Sequence, residues 1–280
     1  MKIISDDSLS ETFKNLMHQT DNTNRDAEIF ILGDEIYKIY AYDDKKIKFN
    51  LNVLKRVFKN YDVLKHVEEL VLPNDLISYN NHVVGYSMDL IKGDTLECLI
   101  NNNQISQDSV KKIFKEVLNM LYIIKGLPVD LVIGDLHERN ILVDSSLNVK
   151  IIDCDSFIIK NYKLKVNNEI LVGKYINSYF DQKELKKVDS YHDQVSLLVM
   201  ILRYVFKDVL GDEVNPIKCI YNNEEYSEIK KIIDPVLKSK NLVLSESHID
   251  ILFRYIGKFK KNQKNDELIR LEQTRIRKML

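Results

Sequence analysis

The stretch from Val132 to Phe157, VIGDLHERNILVDSSLNVKIIDCDSF, constrains this chain more than any other part of it. Three short apolar runs, Leu131 to Ile133, Ile141 to Val143 and Val149 to Ile152, are rich in Val, Ile and Leu and read as strands. Asp135, Asn140 and Asp153 then fall in two loops at the strand ends. Asp and Asn at such positions are common turn formers. They are also hard oxygen ligands. Mg²⁺ takes one or two carboxylates together with substrate phosphates, which suits Asp153 with the Asn140 amide. A carboxylate such as Asp135 can orient or deprotonate an attacking hydroxyl.

The run D-L-H-E-R-N, with D-C-D-S-F beginning 13 positions after its Asn, resembles the catalytic and metal-binding loops of the protein-kinase-like superfamily. The resemblance spans roughly Ala27 to Phe206. It implies a two-lobed α+β fold, with a small antiparallel-sheet, nucleotide-binding lobe over residues 1–91 and a larger, mainly helical catalytic lobe over 92–280. It also implies ATP and Mg²⁺ as cofactors, Asp135 as catalytic base, and Asn140 and Asp153 as metal ligands. Where protein kinases often place a lysine two residues after the catalytic Asp, this chain has His137; it steadies the transferred phosphate or binds backbone as a packed histidine. The fragment H-D-x-x-S-L at His192 resembles the start of the central large-lobe helix, whose Asp, here Asp193, braces the catalytic loop. A first-turn Asp is also favoured by the helix dipole alone. Several bacterial kinase-like proteins carry a similar G-D…N-x-L-V…I-D-x-D-S-F run and are the nearest resemblance.

Upstream, AEIFIL and EIYKIY alternate about Gly33 and Asp34, a hairpin signal. Lys38 lies near the end of the second strand. Periodicity alone makes it an exposed strand lysine; the resemblance makes it the lysine that grips the nucleotide phosphates. A glycine-rich phosphate loop is expected at about Thr20 to Ala27, and that stretch contains no glycine. The helix expected over Asp44 to Lys59 contains no glutamate to pair with Lys38, which leaves Asn50, Asn52, Glu68 or Glu69 as partners. LVLPNDLISYNNHVVGYSMDLI reads as two strands joined at Asn80-Asn81. By the resemblance Met88 lies at the back of the adenine site, or is ordinary core, and Asp89, Leu90 and Ile91 form the hinge whose backbone meets an adenine ring.

From Ser106 the pattern turns helical. Ser106 is placed to cap VKKIFKEVLNMLYIIKG, whose Val110, Ile113, Val117, Leu121 and Ile124 make a core-facing stripe, and Gly126 ends it. The segment after Phe157 corresponds to an activation segment, with Glu184 as the glutamate that closes it, paired with an arginine such as Arg254 or simply exposed. Gly173 to Phe180 would lie near an incoming substrate. DSYHDQVSLLVMILRYVF is a strongly apolar helix capped by Asp189 or Ser190. Asp234-Pro235 and Asn241 to Ser247 read as breaks. Residues 258–280 hold eight Lys or Arg against three Asp or Glu; such a helix is a solvated face or contacts a partner.

A net charge of −1 gives no global attraction to nucleic acid. The sequence has no apolar run near membrane-spanning length and no signal-like N-terminus, which predicts a cytoplasmic protein without membrane contact. The three cysteines are too scattered for a disulfide framework or a zinc site, and Cys154 reads as a small, partly buried residue. The expectation is an ATP-dependent phosphotransferase acting on a hydroxyl, with a protein acceptor in the manner of a serine/threonine kinase. The alternatives are a small-molecule kinase of the aminoglycoside or choline kinase type, whose signature G-D-L-H-x-x-N also is, and a non-catalytic pseudokinase. Ile133 and Gly134 stand where switchable protein kinases have His-Arg, so activation-segment phosphorylation is not expected to be the main switch.

Overall fold

The computed structural model describes residues 27–40, 44–79, 82–159, 190–210, 216–221, 226–239 and 241–258. Over these the chain is α+β, with a small antiparallel sheet first and helices dominating afterwards. β1 (Ala27–Leu32) and β2 (Glu35–Tyr40) form the expected hairpin, turning at Gly33, whose φ of +62° suits a residue without a side chain. The sheet is completed by β3 (Pro73–Tyr79) and β4 (His82–Asp89) in the order β1-β2-β4-β3, so β2 is an interior strand. Gly85 faces Ile39 of β2, and a Cβ there would meet the Lys38 carbonyl oxygen at 2.1 Å. Close approach of β2 and β4 therefore requires that glycine.

Helix α1 (Asp44–Lys59) lies between the first and second hairpins, followed by the single turn α2 (Tyr61–Leu64). After β4 come a short β5 (Asp94–Thr95), α3 (Leu96–Asn101) and the long α4 (Gln107–Gly126). Thr95 caps α3 by accepting the Cys98 N–H at 3.2 Å, and Ser106 caps α4 by accepting the Ser109 N–H at 3.1 Å. The apolar stripe on α4 is buried as its spacing predicts, together with Phe114, Leu118 and Met120.

The motif-bearing segment folds as β6 (Leu131–Val132), β7 (Ile141–Val143), β8 (Val149–Ile151) and β9 (Ile158–Ile159), with 3₁₀ turns at Glu138–Asn140 and Cys154–Ser156. β5, β7 and β8 make one small sheet, β6 and β9 another. Behind them runs α5 (Ser190–Leu210), buried on nearly every side from His192 to Leu202. Its polar residues serve backbone: Gln194 accepts the Val243 and Leu244 N–H groups at 2.6 and 2.8 Å and donates to the Asn241 oxygen at 3.0 Å. α6 (Pro216–Tyr221), α7 (Ser227–Lys238) and α8 (Glu246–Phe253) finish the described fold. Phe114, Tyr204 and Phe253 lock α4, α5 and α8 together through ring contacts at 5.6–6.2 Å.

Pro235 does not break the chain as the sequence suggests; α7 runs through it for three more residues. A proline so near a C-terminus removes one intrahelical bond, and burial of Ile229, Ile232, Ile233, Val236 and Leu237 outweighs that loss. The main core runs from Ala27 and Tyr86 in the sheet through α4 and α5 to Phe253, and a small second cluster of Phe30, Tyr37 and Ile77 stands apart from it. Among the described residues no helix is long and apolar enough to cross a membrane.

Candidate active site

The β7–β8 hairpin brings Asn140 and Asp153 to one end. Ile141 pairs with Ile151, Val143 with Val149, and one step beyond the ladder the Ile152 N–H donates to the Asn140 carbonyl at 3.0 Å. β8 is tied in turn to the segment before the second hairpin: Ile151 N–H donates to Glu69 O at 2.7 Å and Val71 N–H to Ile151 O at 2.9 Å. Asp153 sits at φ 75°, ψ 49°, a left-handed conformation that Asp tolerates better than most residues but that still costs about 1 kcal/mol. It persists because its surroundings fix it. Ser156 Oγ lies within hydrogen-bonding reach of Asp153 O at 2.8 Å and Ile133 O at 3.0 Å, joining the two loops. Gly134 (φ +78°) lies against the same turn, where a Cβ would stand 2.8 Å from Ser156 O. Asp193, buried at the start of α5, accepts the Ile133 N–H at 2.8 Å and the Gly134 N–H at 3.0 Å. The backbone leading into Asp135 is thus braced by a carboxylate, and a dipole role alone does not describe Asp193.

Within that loop, Asn140 Nδ2 donates to the Asp135 carbonyl at 2.9 Å and stands 3.4 Å from Asp135 Oδ2. The amide oxygen is therefore the atom Asn140 can offer a cation. His137 Nδ1 accepts the Arg139 N–H at 3.2 Å, while Nε2 lies 3.5 Å from Asp135 Oδ2. Of the two roles open to His137, backbone binding is the one visible here, with the second nitrogen facing the Asp135 carboxylate. Two ion pairs flank the turn, Arg203 to Glu138 at 3.5 Å and Arg139 to Glu97 at 3.8 Å.

Lys38 is not an exposed strand lysine. It is 7% exposed, and its Nζ bonds both Asp153 Oδ1 and Asp155 Oδ1, the latter at 3.1 Å. Strand alternation puts Tyr40 on the same face, and its hydroxyl donates to Asp155 Oδ2 at 2.7 Å. Burial alone would lower the Lys38 ammonium, but the charges of Asp155 and Asp153 overcome it and hold it above its ordinary value. Burial would likewise raise Asp153, yet the Lys38 charge and hydrogen bonds from Asp155 and Lys38 keep it below the usual carboxylate range. Asp155 goes the other way: burial first, then the Asp153 charge, push it up to about 6. Burial also pushes up the Tyr40 hydroxyl and the Cys154 thiol. Cys154 is wholly rather than partly buried, and a thiol so placed is inert.

A comparison of the chain with models of known protein families finds no match, and a comparison with curated proteins finds none. The geometry therefore carries the reading of this site.

The partner of Lys38 differs from the expected ones. Asn52 and Glu68 are exposed, the Glu68 and Glu69 carbonyls bond Lys150 and Ile151, and the position is taken by Asp155. Asp155 and Tyr40 are the residues sequence reasoning passed over, although D-C-D carried a second carboxylate in plain view. Met88 is buried in the core opposite Ile36, which favours its packing role. Asp89 is exposed, accepting from Asn74 Nδ2 at 2.7 Å, and the Leu90 N–H donates to Asp34 O at 2.8 Å. Glu184, the stretches Thr20–Asp26 and Gly173–Phe180, the cap residue Asp189 and the basic segment 259–280 lie outside the described residues.

The donor set fits Mg²⁺ by its chemistry: a carboxylate from Asp153 and an amide oxygen from Asn140, both hard. Among the described residues no three His, Cys, Asp or Glu side chains converge as a metal cluster. An all-protein cage is not what the site offers; a metal shared with substrate phosphates needs only one or two protein ligands.

Proposed function

We propose that this chain is an ATP-dependent phosphotransferase with a two-lobed, protein-kinase-like arrangement, the lobes meeting at Asp89–Ile91. The γ-phosphoryl group would pass to a hydroxyl, in the first instance on a protein. The observation that carries the reading is the convergence of Lys38, from the interior strand of the sheet, on Asp153 from the D-C-D turn. That contact joins a phosphate-gripping cation to a metal-binding carboxylate across 115 positions of sequence.

In this reading Asp153 and the Asn140 amide oxygen hold Mg²⁺, which when bound offsets charge on the transferred phosphoryl group. Lys38 contacts the nucleotide phosphates. Asp135 orients the acceptor hydroxyl and takes up its proton, and the Asn140 amide at 2.9 Å from its carbonyl fixes its backbone while doing so. With the Leu90 N–H committed to Asp34, the neighbouring backbone groups of Asp89 and Ile91 are those that would meet an adenine edge.

Purified protein incubated with Mg²⁺ and γ-labelled ATP, with and without a generic protein acceptor, tests the proposal beside Asp135→Ala and Asp153→Ala. Label on protein that disappears in both variants supports it. A wild-type chain that binds Mg-ATP yet labels no protein points to a small-molecule acceptor. A chain that binds no nucleotide sinks the phosphotransferase reading and leaves a scaffold, which an ammonium already held by two carboxylates would also suit.

A further inference from the structure

Lys38 needs a fixed partner, and α1, the helix from which one is expected, carries no glutamate. The two carboxylates at its Nζ come from one tight turn, Asp153 and Asp155, and they differ in what else they do. Asp153 is the residue assigned to the metal. Asp155 is buried, and its second oxygen accepts the Tyr40 hydroxyl at 2.7 Å. Tyr40 follows Lys38 by two positions on the same face of β2, so the D-C-D turn is pinned to the strand at two points, the ammonium and the hydroxyl.

We propose that Asp155 is the positioning residue of Lys38. It retains the ammonium when Asp153 is drawn to the metal and nucleotide, so that the lysine's anchor and the metal's ligand are supplied by the same three-residue turn. The lysine's anchor is then a carboxylate of the turn on which α1 packs, rather than a glutamate of α1 itself. The Asp155–Tyr40 bond sets the direction from which the carboxylate meets Lys38. This rests on the phosphotransferase reading of the site.

The test is a double-substitution cycle read by binding rather than turnover. Wild type, Asp155→Asn, Lys38→Met and the double variant are titrated with a fluorescent, non-hydrolysable ATP analogue in Mg²⁺. Asp155→Asn keeps the shape and one acceptor oxygen but loses the charge. It is expected to weaken nucleotide binding about tenfold in the wild-type background and by less than about twofold in the Lys38→Met background. Equal weakening in both backgrounds would mark Asp155 as a structural residue and overturn the proposal. Unchanged affinity in Asp155→Asn would overturn it too, while leaving the phosphotransferase reading intact; a wild type that binds no nucleotide removes both. Should Asp155→Asn fail to fold by circular dichroism, Tyr40→Phe enters the same cycle. It removes a single hydrogen bond to Asp155, and about a threefold loss that vanishes in Lys38→Met is expected. Its absence would overturn the proposal.

Discussion

Replacing Asp193 by alanine should be among the most damaging single changes available outside the apolar core. The carboxylate is 2% exposed and accepts the Ile133 and Gly134 N–H groups at 2.8 and 3.0 Å. Hydrogen bonds to a charged acceptor contribute roughly 1.5–3 kcal/mol each, and two buried donors without it leave Asp193→Ala about 3–6 kcal/mol less stable. Set against the roughly 5–15 kcal/mol of a typical domain, that is a large fraction of the whole. Asp193→Asn should fall between, because its single amide oxygen can accept one N–H while its NH₂ faces the other donor. Urea unfolding at pH 7, followed by circular dichroism and compared at equal m-values, measures both variants. Hydrogen exchange at the Ile133 and Gly134 amides localises the effect, since these should lose protection ahead of the rest of the core. A loss below about 1 kcal/mol in Asp193→Ala, or unchanged protection at those two amides, would refute the bracing role.

Glycines 33 and 134 both have positive φ, but only Gly134 is crowded: an added Cβ meets Ser156 O at 2.8 Å, whereas at Gly33 it meets nothing within 4 Å. Gly33→Ala is therefore expected to lose only the conformational term of about 1 kcal/mol, and Gly134→Ala about 2–4 kcal/mol, by the same urea assay; equal losses would contradict the crowding. For Asp155, a folded value near 6 lies above the unfolded 3.8, so its proton contributes stability that is fully present below pH 3.8 and is lost as pH rises through about 6. Wild type should therefore lose stability relative to Asp155→Asn as pH rises from about 3.5 to 7, and parallel stability profiles would exclude it. Removing Lys38 alone (Lys38→Met) should cost about 3–5 kcal/mol in thermal or urea unfolding, while the triple variant Lys38→Met, Asp153→Leu, Asp155→Leu should recover most of it; a triple variant worse than the single one would refute the reasoning.

Much of the fold was legible because the sequence alternates or repeats cleanly where single elements bury one face. The β1–β2 hairpin at Gly33 and the Ser106-capped α4 follow from local pattern alone, and α1 over Asp44–Lys59 lies where the resemblance calls for a helix. Pro235 was misleading because a local rule met strong tertiary burial. At the site, Asp135, Asn140 and Asp153 were visible from their positions at strand ends, and Asp193 from the resemblance. What no local pattern can convey is a partner chosen across the sequence. Lys38 reads as an exposed residue in its own strand, and only the fold brings it to Asp155, 117 positions away, with Tyr40 closing the cluster. Gln194, which fastens residues 241–244 to α5, was hidden for the same reason: on an apolar helix a lone amide gives no hint of which backbone it serves.

The buried charges also bear on why this arrangement exists. One ammonium and two carboxylates, with the Lys38 and Asp155 side chains at 8% and 6% exposure and Asp153 at 30%, bring little net stability, because desolvation takes back most of what their attraction supplies. A well-packed apolar trio would serve the core as well or better. Asp153 adds a further cost through its left-handed backbone, which Ser156 and the braced Ile133–Gly134 segment must hold in place. Strain and buried charge thus coincide in one three-residue turn, at the junction of the sheet, the β7–β8 hairpin and the head of α5. Packing does not explain that coincidence, whereas a site that held a lysine for an anionic ligand and a carboxylate for that ligand's metal ion would. The physical case for function therefore rests less on the motif letters than on the fact that the fold tolerates these groups together at a place where stability alone would remove them.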